Sequence, residues 1–253
     1  MAFSLFGMVF MSAAQRRLLG RGVGVYTYHA IGNPPLGAVD PFLYVPTQQF
    51  EKQLKELVEE KFQFTEPREA LQASSGQLRI VLTFDDGYAN VFQNALPVLK
   101  QYRARAIEYL VVGHIGGRNE WMVRNGSAPE PLMDKAQVKD WLAAGQEIGS
   151  HTLTHPNLTS LSPEVAREEI VGSKKQLEDM FGVPVRQFCY PGGAWDERVR
   201  DLVGEAGYET ACTSDFGVNT PATHRHALRR IIPLARRELI GKSAHRLRRA
   251  IRA

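Results

Sequence analysis

The 253-residue chain predicts an α/β barrel in which parallel strands alternate with helices. Apolar strand-like runs and segments with helical hydrophobic spacing alternate from one end to the other, with no linker or internal repeat between them. The unusual polar residues, His29, Asp85-Asp86, His151 and the turn Pro191 to Gly193, each fall where an apolar run gives way to a loop. A barrel of this kind gathers its site at such carboxyl ends. The length suits one domain of this class, and 43% apolar with 23% charged residues is a globular composition. No window approaches eighteen uninterrupted apolar residues, so no transmembrane helix is expected.

GVGVYTYHA, from Gly22 to Ala30, reads as a buried strand ending in His29, with a Gly/Pro-rich loop from Gly32 to Pro41 after it. Thr47 is placed to cap a helix whose Phe50, Leu54, Leu57 and Val58 form one apolar face. RIVLTF is the next strand and delivers Asp85 and Asp86 at its end. Asn90 to Tyr102 keeps helical spacing despite Pro97, and Ala106 to Val112 is a third strand. A long polar loop with Trp121 leads to a helix over Ala136 to Ala144, stopped by Gly145. QEIGSH presents His151 on a short strand. Ser162 and Pro163 open the longest helix, which runs to Phe181 and Gly182. The strand QFCY meets PGG, a helix follows through Ala206, and strands at Glu209 to Thr213 and Leu228 to Pro233 complete about seven.

The division expected is an N-terminal segment 1–21, anchoring or disordered, a domain over 22–233 and a basic amphipathic helix over 234–253. The first eleven residues are apolar overall but lack a basic n-region, and Arg16-Arg17 comes after them, so a signal peptide is the less favoured reading. The net charge of +4 is asymmetric: from Arg225 onward ten Lys and Arg face the single Glu238. Ile240, Ala244, Leu247 and Ile251 recur at helical spacing among these charges. A terminal helix with a solvated basic face is the first reading, and peripheral contact with an anionic membrane or polymer the second. No recognisable binding module accompanies the charge, so a nucleic-acid partner is not expected. Cys189 and Cys212 lack metal or redox spacing and read as core thiols, with a disulfide left open.

TFDDG, Thr83 to Gly87, places two carboxylates at a strand end, where both cannot point into a core. HTLTH sets His151 and His155 four residues apart after a small-residue turn. Asp86 with the two imidazoles makes a three-ligand site with open coordination positions. Oxygen and nitrogen donors suit zinc, and cobalt, nickel or iron also fit. If Asp86 is the ligand, Asp85 stays free to take a proton from water acidified at the metal.

TFDDG, EIGSHTLTHPNL and the PGG turn resemble the first three motifs of the polysaccharide deacetylases, the NodB-homology domain of carbohydrate esterase family 4. The likeness runs from about Val23 to Ile232 and includes LVVGHIGG. It implies a distorted (β/α)7 barrel of the NodB-homology type and metal-dependent removal of N- or O-acetyl groups from a glycan. It also implies Asp85 as base, Asp86, His151 and His155 as metal ligands, and a cell-envelope or extracytoplasmic setting. YHAI, with QQFEKQL after Val45, resembles the branch similar to poly-β-1,6-N-acetylglucosamine deacetylases, in which an early-strand histidine is the general acid. His29 takes that role here, against a structural histidine at a strand end.

The third motif departs from the pattern. RQFCYPGG keeps Arg186 at the first arginine but has Cys189 where a second arginine contacts the catalytic aspartate, and Arg230 in LRRI is the candidate substitute. Gly192 replaces an aromatic whose main-chain N–H stabilises the oxyanion, a donor that needs no side chain. No LxxxxxH follows, and His224 and His226 have the wrong spacing for it. Tyr190, Pro191 and Trp195 are the candidate substrate-binding residues; for Tyr190, Trp195 and Trp121 a core or rim position is the first reading and a sugar-stacking wall the second. Two other functions stay open: a non-catalytic metal- or saccharide-binding relative, and an amidase or deformylase for a lipid-linked sugar or a small cyclic amide.

Overall fold

The computed structural model describes residues 12–72 and 78–233. Seven strands form the barrel: β1 (Gly24–Tyr28), β2 (Arg79–Asp86), β3 (Ala106–Leu110), β4 (Glu147–Ser150), β5 (Gln187–Cys189), β6 (Thr210–Phe216) and β7 (Leu228–Arg230). Each pairs in parallel with the next in chain order. The ring closes through Ile231, whose N–H donates to the Val25 carbonyl at 2.8 Å and whose carbonyl accepts from Thr27 N–H at 3.0 Å. The expected α/β barrel of about seven strands is therefore the fold.

Strand alternation divides the core into two layers. Val23, Val25, Val81, Ile107, Tyr109, Cys189, Cys212 and Leu228 form one cluster, the barrel lumen. Tyr26, Tyr28, Leu82, Phe84, Leu110 and Phe188 belong to the second, between barrel and helices. Tyr109 lies across the lumen, its hydroxyl 3.4 Å from the Cys212 sulfur. A Cβ on Gly149 would stand 2.4 Å from that ring, which is why the strand before His151 carries a glycine there.

The outer layer is α1 (Ala13–Leu19), α2 (Thr47–Glu59), α3 (Leu96–Gln101), α4 (Lys135–Ala143), α5 (Pro163–Phe181) and α6 (Glu197–Glu205). α1 lies within the 1–21 segment and is capped by Ser12, and Leu19 is buried. Residues 1–11 and the expected basic helix at 234–253 lie outside the described residues. α2 buries Phe50, Leu54 and Leu57, each worth roughly 2 kcal/mol as a buried apolar side chain. Phe50 meets Tyr28 edge-on at 5.1 Å, and Phe84 stacks on the same Tyr28 at 5.4 Å. Two expectations for α2 fail: Thr47 is its first residue after Pro46 and makes no capping bond, and Val58 faces out. Pro97 is absorbed by a π turn over Val91–Ala95, so that it sits in the first turn of α3, where no N–H is needed. α5 has the expected ends, Ser162 Oγ accepting from Val165 N–H and left-handed Gly182 closing it. No described helix is long and apolar enough to cross a membrane.

Candidate metal centre and active site

The two aspartates separate because the backbone turns between them. Asp85 keeps the strand alternation and faces the lumen, whereas Asp86 and Gly87 take left-handed φ of 80° and 81°. Asp86 thereby swings toward the loop after β4. Its Oδ1 is 3.4 Å from Nε2 of His151 and 3.4 Å from Nε2 of His155. Both spacings match the edge of a tetrahedron with metal–ligand bonds of about 2.1 Å.

The HTLTH loop is held in a strained conformation to achieve this. Thr152 and His155 have φ of 70° and 63°, each costing on the order of 1–3 kcal/mol. Thr152 Oγ1 accepts from His155 N–H at 3.0 Å. The Glu169 carboxylate on α5 accepts from Leu153 N–H at 2.8 Å, Thr154 N–H at 3.0 Å and the Thr154 hydroxyl at 2.6 Å. His151 Nδ1 lies 2.7 Å from the Cys189 carbonyl, so this nitrogen donates and leaves the Nε2 lone pair toward Asp86. Trp121 stacks on the His155 ring at 4.6 Å and 18°. Burial would raise the Asp86 carboxyl, but hydrogen bonds and charge from the two histidines hold it well below the usual carboxylate range. Asp86, His151 and His155 therefore fit a divalent cation by donor type, tautomer and spacing.

Asp85 shares His151 as a neighbour, but its other partners differ. Arg230 on β7 donates to Oδ1 at 2.8 Å and through Nε to the Thr213 carbonyl at 2.7 Å, both groups being buried. The Cys189 thiol lies 3.6 Å from Oδ2, and His29 Nε2 lies 3.8 Å from the same oxygen. Burial pushes the Asp85 carboxyl up, and the opposing charges of Arg230 and His29 with the Arg230 hydrogen bond bring it below its ordinary value. Arg230 thus stands against Asp85, while Cys189 remains a thiol that burial keeps protonated. Cys212 is likewise a free buried thiol.

The turn Pro191–Gly193 follows β5 directly. Gly192 is exposed with φ 60°, and a Cβ there would meet nothing within 4 Å; at Gly193 the same space is filled by Ser214. Tyr190 is corrected from sugar wall to core: its outward strand parity buries it fully, with its hydroxyl bonded to the His226 carbonyl at 2.8 Å. Pro191 is buried as well. Trp195 is half-buried and donates to Asp215 at 3.2 Å. Trp121 uses one ring face on His155. His226 contacts the Tyr208 carbonyl and Arg186 pairs with Glu209, both before the strands begin and so at the other end of the barrel from Asp85. The His224 ring lies beside that of His226, tilted by 60° with 5.6 Å between centroids. Of the three candidate acids, His29, His224 and His226, the structure brings only His29 to Asp85.

Two acidic residues passed over in the sequence prove central to the site's frame. Glu169 grips the HTLTH loop, and Glu108 lies buried beneath Gly87. The signal for Glu108 was present, a single charge inside the apolar run AIEYLVV. Glu169 is one of many charges on a long surface helix and carried no such mark.

A family model described as polysaccharide deacetylase matches residues 72–211. YxkH of Bacillus subtilis (strain 168) is 28% identical over 194 residues, covering 75% of this chain but only 65% of that protein. The poly-beta-1,6-N-acetyl-D-glucosamine N-deacetylase of Staphylococcus aureus (strain MRSA252) is 23% identical over 201 residues, 74% of this chain and 67% of that one. The Streptococcus pyogenes deacetylase PplD, solved in complex with acetate, superposes with a TM-score of 0.71 at 25% identity, covering 84% of this chain and 93% of PplD. With more than half its length matched by the family model, and with this barrel and donor set, the chain belongs to the polysaccharide deacetylase family.

Proposed function

We propose that this protein is a metal-dependent hydrolase that removes acetyl groups from an N-acetylated glycan, with β-1,6-linked N-acetylglucosamine polymers as the first substrate class. The observation that carries the reading is that consecutive aspartates face different partners, Asp86 two imidazoles and Asp85 a guanidinium. Asp86, His151 and His155 would hold the cation, with zinc the best match and cobalt, nickel or iron accommodated by the same donors. When bound, such an ion acidifies a water and polarises an acyl carbonyl.

Asp85 is then the general base. Arg230 keeps its carboxyl ionised, ready to accept the proton of the attacking water, and fixes the orientation of that acceptor. His29, across Asp85 and one quarter exposed, would donate a proton to the departing sugar amine. The Gly192 N–H is the proposed main-chain donor to the tetrahedral oxyanion. Trp195, partly exposed beside the turn, is the remaining aromatic for a sugar face. The early-strand histidine and the name carried by the Staphylococcus relative support this substrate class.

The test is acetate release from β-1,6-linked N-acetylglucosamine oligomers, chitooligomers, peptidoglycan and acetylxylan, with and without chelator. Release from the β-1,6-linked oligomers that chelator abolishes and zinc restores is the expected result. No release from any of the four would favour a binding role or a different amide.

A further inference from the structure

Glu108 is a carboxyl where the barrel wall should be apolar. It points out from β3 toward the helix layer, paired in register with Phe84 on one side and Ile148 on the other, and has no exposed surface. A carboxyl in such a place costs several kcal/mol unless something compensates it. Its Oε1 accepts from Gly87 N–H at 2.9 Å, and its Oε2 has no partner among the described residues. Burial, with the charges of Asp85 and Asp86 beside it, raises its pKa well above the usual carboxylate range despite the Gly87 bond.

We infer that Glu108 is a positioning residue for the metal ligand Asp86, acting through its hydrogen bond to the Gly87 N–H. The inference rests on the metal reading of Asp86, His151 and His155. Asp86 and Gly87 form two successive left-handed residues, and this is the point at which the chain leaves β2. The Gly87 N–H is held by Glu108, and its carbonyl accepts from Met133 N–H at 2.8 Å. The Gly87 N–H lies in the Asp86–Gly87 peptide, so the Glu108 bond fixes the plane that follows Asp86 and sets where its carboxylate points, while the Met133 bond fixes the next plane. Without the Glu108 bond the peptide can rotate, and Asp86 leaves the point on which the two imidazoles converge.

The experiment is zinc titration of the chelator-stripped full chain, read by competition with a chromophoric chelator, for wild type, Glu108→Gln and Glu108→Met. Thermal melts of the metal-free proteins accompany it. Gln keeps the acceptor, so its zinc affinity should stay within about threefold of wild type. Met keeps the length and removes the acceptor, so affinity should fall about 10- to 100-fold, the range for outer partners of a metal site. Its metal-free melting temperature should fall only modestly, because the unpaired Oε2 leaves with the acceptor and offsets part of the cost of the Gly87 N–H losing its partner. Zinc binding by Glu108→Met at wild-type strength would overturn the proposal. So would equal losses in Gln and Met, and if Met does not fold, a loss of affinity in Gln alone decides against it. Wild-type protein that takes up no zinc would instead overturn the metal reading beneath it.

Discussion

The candidate metal ligands and the neighbours of Asp85 are assembled in opposite ways. Asp86, His151 and His155 come from two strand ends and the loop after one of them, and short hydrogen bonds within that loop and from Glu169 shape it. Asp85 is met by His29 just after the neighbouring β1, by Cys189 on β5 across the lumen and by Arg230 on β7, and the Arg230 contact exists only once the ring closes from β7 to β1 through Ile231. A local loop can keep its ligands whatever happens at the seam. The base depends on the seam, and variants should separate the two.

The largest expected effect is on turnover in Asp85→Asn. Removing a general base costs about 10²–10⁴-fold, so acetate release should fall by about two to four orders of magnitude. His29→Ala comes next. On an N-acetyl sugar a loss of about 100-fold is expected, whereas on an aryl acetate, whose leaving group departs without protonation, the loss should be under about fivefold. Equal losses on both substrates would remove His29 from the role of acid.

Arg230→Met should lower turnover by about tenfold and act mainly through stability and pH. It leaves a buried carboxylate without its partner, which costs about 3–5 kcal/mol. The folded Asp85 carboxyl is held below its ordinary value of about 3.9. Its contribution to stability is therefore complete above that pH and is lost as pH falls toward the folded pKa. Wild type should show this acid loss in melts of the metal-free protein, the variant should lack it, and the acid limb of turnover should move to higher pH in the variant. An unchanged acid limb would mean that Arg230 does not tune Asp85.

The same contrast decides what the sequence made legible. The seven-strand alternation and the DDG and HTLTH motifs are local patterns, and the barrel and the converging Asp86, His151 and His155 are found where those patterns placed them. Arg230 was legible only as a substitute for the arginine missing at Cys189, because nothing within LRRI marks the second arginine as buried against an aspartate 145 residues earlier. Tyr190 misled because a turn beside a site suggests exposure, whereas strand parity sends its ring outward to the helices. The left-handed backbone at Asp86, Thr152 and His155 leaves no trace in residue type, since none of the three is glycine.

Zinc affinity measured side by side in Asp85→Asn and Asp86→Asn tests the divided labour of the two aspartates most directly. The account predicts binding within about threefold of wild type for Asp85→Asn and a loss of at least about 100-fold for Asp86→Asn. Comparable losses in both would contradict it, making the pair a shared ligand and leaving the reaction without its base.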